Sequence, residues 1–207
     1  MSGPRGSSAG WRQRQERDPY VQRARDEGYR SRAVYKLEEL LDKARLPGRP
    51  ALVIDLGAAP GAWSQYAARR WGDRARVLAL DILPMDEIPG VEFLQGDFTE
   101  SEVLQRLTAM LGEDRADLVL SDMAPNISGN RSVDQPRAMY LAELALDLAC
   151  ETLNAGGTFI CKVFQGEGFD EFVRNARARF RQVRVVKPKA SRPSSREVYL
   201  LARNYQL

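Results

Sequence analysis

From residue 51 to residue 202 the chain alternates short apolar runs with longer stretches of helical period, and this alternation restricts the fold more than any other feature of the sequence. Residues 51–56 (ALVIDL) read as a buried strand, 63–71 as a helix, 76–80 and 91–95 as strands, 104–111 as a helix and 116–121 as a strand. A long helix over 137–153, a strand over 157–163, a helix over 169–180 and two closing strands over 182–186 and 197–202 complete the series. Strands and helices in turn imply a mostly parallel sheet covered on both faces, an α/β, doubly wound architecture. With 207 residues the chain accommodates one such domain.

Residues 1–28, rich in Arg, Ser, Gly and Gln and without sustained periodicity, read as a flexible basic arm, leaving 29–207 as the single domain. Ser31 stands where it can cap an entry helix in which Val34, Leu37, Leu40, Leu41 and Ala44 recur at helical spacing before Pro47-Gly48. Lys36 lies beside that stripe. The first ten residues lack the apolar core of a signal peptide, and no run of about 18 apolar residues occurs. A cytoplasmic protein with no membrane partner is expected. Cys150 and Cys161, in apolar contexts and without any histidine, read as buried thiols in a reducing compartment, with no zinc site and no metal.

The net charge of +3 conceals a strong asymmetry. Nine basic residues and no acidic one fall between Phe172 and Arg196, so the remainder carries 3 − 9 = −6. A basic block on an otherwise acidic domain is the pattern of a surface that meets phosphates, and a solvated helix face is the plainer alternative.

The first strand runs into Gly57-Ala58-Ala59-Pro60-Gly61-Ala62-Trp63. A strand, a small-residue turn and a helix bring backbone close to a ligand, but the G-x-x-x-G spacing with a proline inside disfavours a dinucleotide. It suits S-adenosyl-L-methionine, which has no phosphate. Three acids then follow successive strands: Asp81, able to accept from both ribose hydroxyls of a nucleoside; Asp97, able to accept from the adenine amino group; and Asp122. Gly61 in the loop joins them as a cofactor-binding candidate. Trp63 is either a cofactor contact or part of the core.

With no histidine in the chain, proton transfer near neutral pH falls to a carboxylate, a cysteine, a tyrosine or a lysine. Lys162 at the end of the fifth strand is well placed, because catalytic groups of open α/β sheets gather at the carboxyl ends of strands. Ser121-Asp122-Met123-Ala124-Pro125 lacks the double proline and aromatic of a turn that holds a planar base amine, which favours a ribose oxygen as acceptor.

The segments SRAVYKLEEL, VIDLGAAPGAWSQY, GVEFLQGDF, SDMAPNISG, PRAMYLAELAL, KVFQGEGFDEF and SREVYLLA resemble the FtsJ (RrmJ, RlmE) family, bacterial 2′-O-ribose methyltransferases that modify a uridine of large-subunit ribosomal RNA. The resemblance spans about residues 20 to 203 and departs from the family at Ala62, where a second glycine is common. It implies a Rossmann-like methyltransferase fold, S-adenosyl-L-methionine as cofactor, ribosomal RNA within the large ribosomal subunit as partner, and a monomer. It also implies a catalytic tetrad, matched by Lys36, Asp122, Lys162 and Glu197, with Lys162 as general base. A transfer RNA 2′-O-methyltransferase and a non-catalytic module that binds cofactor and RNA are the alternatives.

Overall fold

The structure, a computed structural model, describes residues 18–207. Thirteen regular elements follow the alternation: α1 (Pro19–Asp26), α2 (Val34–Ala44), β1 (Leu52–Leu56), α3 (Ala62–Trp71), β2 (Arg76–Asp81), β3 (Val91–Gln95), α4 (Ser101–Leu111), β4 (Ala116–Ser121), α5 (Arg131–Thr152), β5 (Leu153–Phe164), α6 (Phe169–Arg179), β6 (Phe180–Val186) and β7 (Glu197–Tyr205). They build one seven-stranded sheet in the order β3-β2-β1-β4-β5-β7-β6. The first five strands are parallel, and β7 runs antiparallel to both β5 and β6. Among the described residues no helix is long and apolar enough to cross a membrane.

Two cores sandwich the sheet, and strand alternation divides the residues between them. Ile54, Leu56, Leu78, Leu80, Val119, Phe159 and Cys161 pack with α4, α5 and α6. Val53, Val77, Leu118, Leu120, Ile160, Tyr199 and Leu201 pack with α2 and α3. Leu37, Leu40, Leu41 and Ala44 of α2 are buried, as their spacing predicts.

Four readings of the sequence need correction. The expected arm over residues 1–28 ends in a helix, α1, capped by Asp18 accepting from Tyr20 N at 3.0 Å, with Pro19 in the first turn; residues 1–17 lie outside the described residues. This helix has almost no apolar stripe and is held from outside, through buried Ala24, Tyr20 beside Tyr35 at 5.7 Å, and the Arg23 guanidinium 4.2 Å from the Tyr35 ring. Ser31 does not cap α2. Its hydroxyl accepts from Ala33 N in a turn just before the helix, and α2 begins without a side-chain cap. Finally, α5 starts six residues before the expected 137, because Asn130 caps it and Asp134 anchors the preceding turn by accepting from Ser128 N and Gly129 N. Pro136 is thus inside the helix, where it removes one backbone donor. Of the two cysteines, only Cys161 is fully buried; Cys150 is partly exposed.

Asp55, at the end of β1, is completely buried on the α3 side of the sheet. Ser64 Oγ donates to its Oδ2 at 2.6 Å, and Oδ1 has no partner. Burial pushes this carboxyl up to about 7, with the charges of Asp122 and Asp81 adding to the rise and the Ser64 hydrogen bond working against it. The folded protein therefore keeps a proton that the unfolded chain releases near pH 4, so stability falls as pH rises from about 4 to about 7 and levels off above. Asp55→Asn, which cannot ionise, should become progressively more stable relative to the wild type across that window. Denaturant unfolding from pH 5 to pH 8 measures this, and parallel pH profiles for the two proteins would show that Asp55 holds no such proton.

Candidate active site

Period-two alternation aims the chemically active residues of different strands toward one face. Asp81 continues the row of Val77 and Ala79, Lys162 that of Ile160, Asp122 that of Leu118 and Leu120, and Glu197 that of Tyr199 and Leu201. All four rows face α2 and α3. Lys36, on α2, meets them from above.

At the carboxyl ends of β1, β2, β3 and β4 lies a cleft of about 490 Å³ lined by Gly57, Asp81, Leu83, Asp97, Asp122 and Met123 among others. Gly57, at φ +74°, is needed there: a Cβ at this position would come within 2.7 Å of Met123. Asp81 is held rigid, Oδ2 accepting from Ala59 N at 2.9 Å and Oδ1 from Leu83 N at 2.8 Å. Each oxygen keeps a free lone pair for a hydroxyl in the cleft. Asp97 accepts from Thr99 N and Thr99 Oγ1 at 2.9 and 2.7 Å, and these bonds hold its carboxyl below the usual aspartate range.

Asp122 forms one end of this cleft and opens onto the four-residue cluster. Lys162 Nζ donates to the Asp122 carbonyl at 2.6 Å and lies 3.3 Å from its carboxylate. Lys36 Nζ meets Glu197 Oε1 at 2.6 Å. These are two separate ion pairs, and a fifth residue joins them: the Tyr199 hydroxyl donates to Asp122 Oδ1 at 2.7 Å and lies 3.4 Å from Glu197 Oε1. Burial and the two neighbouring carboxylates hold the Tyr199 phenol well above its usual range, so it stays a donor. For Glu197, burial alone would raise the carboxyl, but Lys36, Lys162 and the Ser191 hydroxyl outweigh it and the net shift is downward. The sequence reading missed Tyr199, although its place two residues after Glu197 in a strand, directly opposite Lys162, is a signal for it.

The loop between β1 and α3 packs closely on its surroundings. Gly61, at φ +104°, turns its open side to Ile88 and Met85, where a Cβ would come within 2.6 and 2.7 Å. Trp63 is in the core, its indole N–H donating to Ala33 O at 2.8 Å and its ring 5.9 Å from that of Tyr199. It belongs to the support of the cluster and stands away from the cleft wall.

The sheet also divides the basic block. Arg174, Arg177 and Arg179 lie on α6, whose Phe172, Val173 and Ala176 pack into the core on the α5 side. The segment between β6 and β7 instead packs Ala190 into the core on the α2 side and brings Arg192, Ser194 and Ser195 to a second cleft of about 420 Å³, shared with Arg32, Lys36 and Glu197. The four ionisable residues therefore stand between two clefts, Asp122 lining the first and Lys36 and Glu197 the second.

Comparison with known proteins identifies this arrangement. The chain is 54% identical over 201 residues to Ribosomal RNA large subunit methyltransferase E of Marinobacter nauticus, spanning 97% of each chain. A crystal structure from Plasmodium falciparum that carries the name of a ribosomal RNA methyltransferase superposes with a TM-score of 0.75 at 30% identity, over 86% of this chain and 98% of that one. An rRNA methylase of Streptococcus thermophilus shares the fold at a TM-score of 0.52 and 11% identity, over 83% and 95% of the two chains. The sequence profile of the FtsJ-like methyltransferases matches residues 29–205, from the loop before α2 to the end of β7 and across both clefts, and the chain belongs to that family.

Proposed function

We propose that the protein methylates the 2′-hydroxyl of a uridine ribose in large-subunit ribosomal RNA, with S-adenosyl-L-methionine as donor and Lys162 as general base. The observation that carries this reading is the position of the four ionisable residues between two clefts, so that a donor in the first and an acceptor strand in the second meet at one buried cluster. The name of the Marinobacter nauticus relative supports ribosomal RNA as substrate, and the family resemblance supplies the uridine. The same resemblance supports a monomer working on the large subunit in the cytoplasm.

The first cleft fits the donor. Asp81, fixed by two backbone amides, accepts from the ribose hydroxyls of the nucleoside; Ile82, Leu83 and Phe98 give the adenine an apolar wall, with Asp97 at its edge. When bound, S-adenosyl-L-methionine supplies an electrophilic methyl group on a sulfonium, whose C–S bond breaks as the C–O bond to the ribose forms. The protein orients the acceptor and removes its proton. Lys162, as the neutral amine, accepts that proton at Nζ and becomes the ammonium that pairs with Asp122. The Asp122 carbonyl and carboxylate hold the amine in place, and the Tyr199 hydroxyl keeps Asp122 from rotating away. Lys36, pinned by Glu197, sets a positive charge beside the oxygen as it loses its proton.

Mass-spectrometric mapping of ribose methylation in RNA from cells with and without the protein tests the reading as a whole. One 2′-O-methyluridine of the large-subunit RNA should disappear with the protein, and an unchanged ribosomal RNA with a lost transfer RNA mark would move the assignment to transfer RNA. Asp81→Ala should weaken donor binding by about 1 to 3 kcal/mol, the cost of losing a hydrogen-bonded charged partner, as read by titration calorimetry. A donor affinity equal to wild type would remove Asp81 from the site. Lys162→Ala should lower the single-turnover rate by about 10²- to 10⁴-fold with donor and RNA affinity retained. Lys162→Arg should do no better, because a guanidinium cannot give up its proton. A near-normal rate in Lys162→Arg would leave the side chain only a positive charge and pass the base to another group.

A further inference from the structure

The second cleft lies between α2 and the β6–β7 segment, on the far side of Lys36 and Glu197 from Asp122. Its charges do not cancel. Arg32 is committed to Asp18 and the Ala190 carbonyl, tying the start of α1 to the β6–β7 segment, and Lys36 is committed to Glu197. Arg192 is exposed on the wall and, among the described residues, its side chain has neither an ion pair nor a hydrogen bond. Lys187, outside the cleft lining, donates to the carbonyls of Ser195 and Glu197 and so braces the backbone of that wall. Arg192, unpaired among the described residues, thus stands with Ser194 and Ser195 around a polar hollow that Lys36 and Glu197 of the buried cluster also line. A guanidinium fork beside hydroxyl donors matches the oxygens of a phosphodiester, and unpaired cations attract that group from solution.

We infer that this cleft holds a backbone phosphate of single-stranded RNA next to the nucleotide whose ribose faces Lys36 and Lys162, with Arg192 as its principal contact. The inference rests on the reading of RNA as the acceptor. A hollow of this kind takes an unpaired strand, since an A-form duplex presents its hydroxyls on a broad, shallow surface. The arginines of α6, though they dominate the basic block in sequence, stand on the opposite face of the sheet and make no contribution to this strand's path.

Filter binding of the full-length protein to large-subunit ribosomal RNA purified from cells lacking it, over a salt series, tests the assignment. Arg192→Ala should bind several-fold more weakly and lower the slope of log affinity against log salt by about one, the signature of one lost phosphate contact. Arg192→Lys, which restores the charge, should recover the slope, and Arg177→Ala on α6 should match the wild type. Methyl transfer to the same RNA, measured in parallel, separates the two readings. A wild-type protein whose binding depends on Arg192 but which transfers no methyl keeps the cleft and removes the reaction. An active wild type together with an unchanged slope in Arg192→Ala, or an equal loss in Arg177→Ala, removes the cleft and keeps the reaction.

Discussion

The parallel pairing of β1 with β4 is the contact on which the rest of the molecule depends. Leu56 and Ser121 sit side by side at its carboxyl end, but the chain leaves β1 toward α3 on one face and leaves β4 toward α5 on the other. Connections that diverge from neighbouring strands cannot close over the strand ends, and the first cleft is the gap they leave. Asp81 and Asp122 reach that gap because the register of β2 and β4 against β1 puts their ends level with it. A slip of one residue in either strand would turn that strand's carboxylate into the opposite core.

Burial decides which charges matter. Lys43–Glu39 and Arg23–Glu27 are pairs one helical turn apart with much of their side chains in solvent, and pairs of that kind contribute at most about 1 kcal/mol. Lys162–Asp122 and Lys36–Glu197 retain 20% exposure or less on every partner. There, loss of one partner strands a charge in a poorly solvated place, at a cost of about 3 to 5 kcal/mol. Tyr199 adds a constraint that neither pair supplies: its single proton lies between two carboxylates, so a displacement of Asp122 is felt at Glu197. Trp63 against the Tyr199 ring and Lys36 above it fix the tyrosine in turn.

A buried Asp55 with Ser64 as its partner and one carboxyl oxygen unsatisfied runs against ordinary core design, where a hydrocarbon or a fully paired acid would be more stable. Its proton keeps a third negative charge away from Asp81 and Asp122, both of which already raise its affinity for that proton. With that proton in place, the carboxylates of Asp81, Asp97 and Asp122 supply the negative charge at the first cleft.

Sequence determined what depends on periodicity and chemical type. The strand and helix runs from β1 onward, the apolar stripe of α2, the acids after β2, β3 and β4, and the four ionisable residues are all properties of short segments, and the structure keeps their order and type while moving some boundaries by several residues. Tertiary structure decided what depends on which face an element turns to a distant neighbour. Helix α1 has almost no stripe of its own and is held by Tyr35 and Arg32; Trp63, just after the loop in sequence, turns into the core against Tyr199; Tyr199, unremarked in a strand of apolar residues, bridges two ion pairs. The basic block shows the reason most plainly. It is continuous along the chain, yet β6 carries it around the edge of the sheet, so its arginines end on two faces separated by the core, and no pattern within the segment reveals on which side its neighbours will lie.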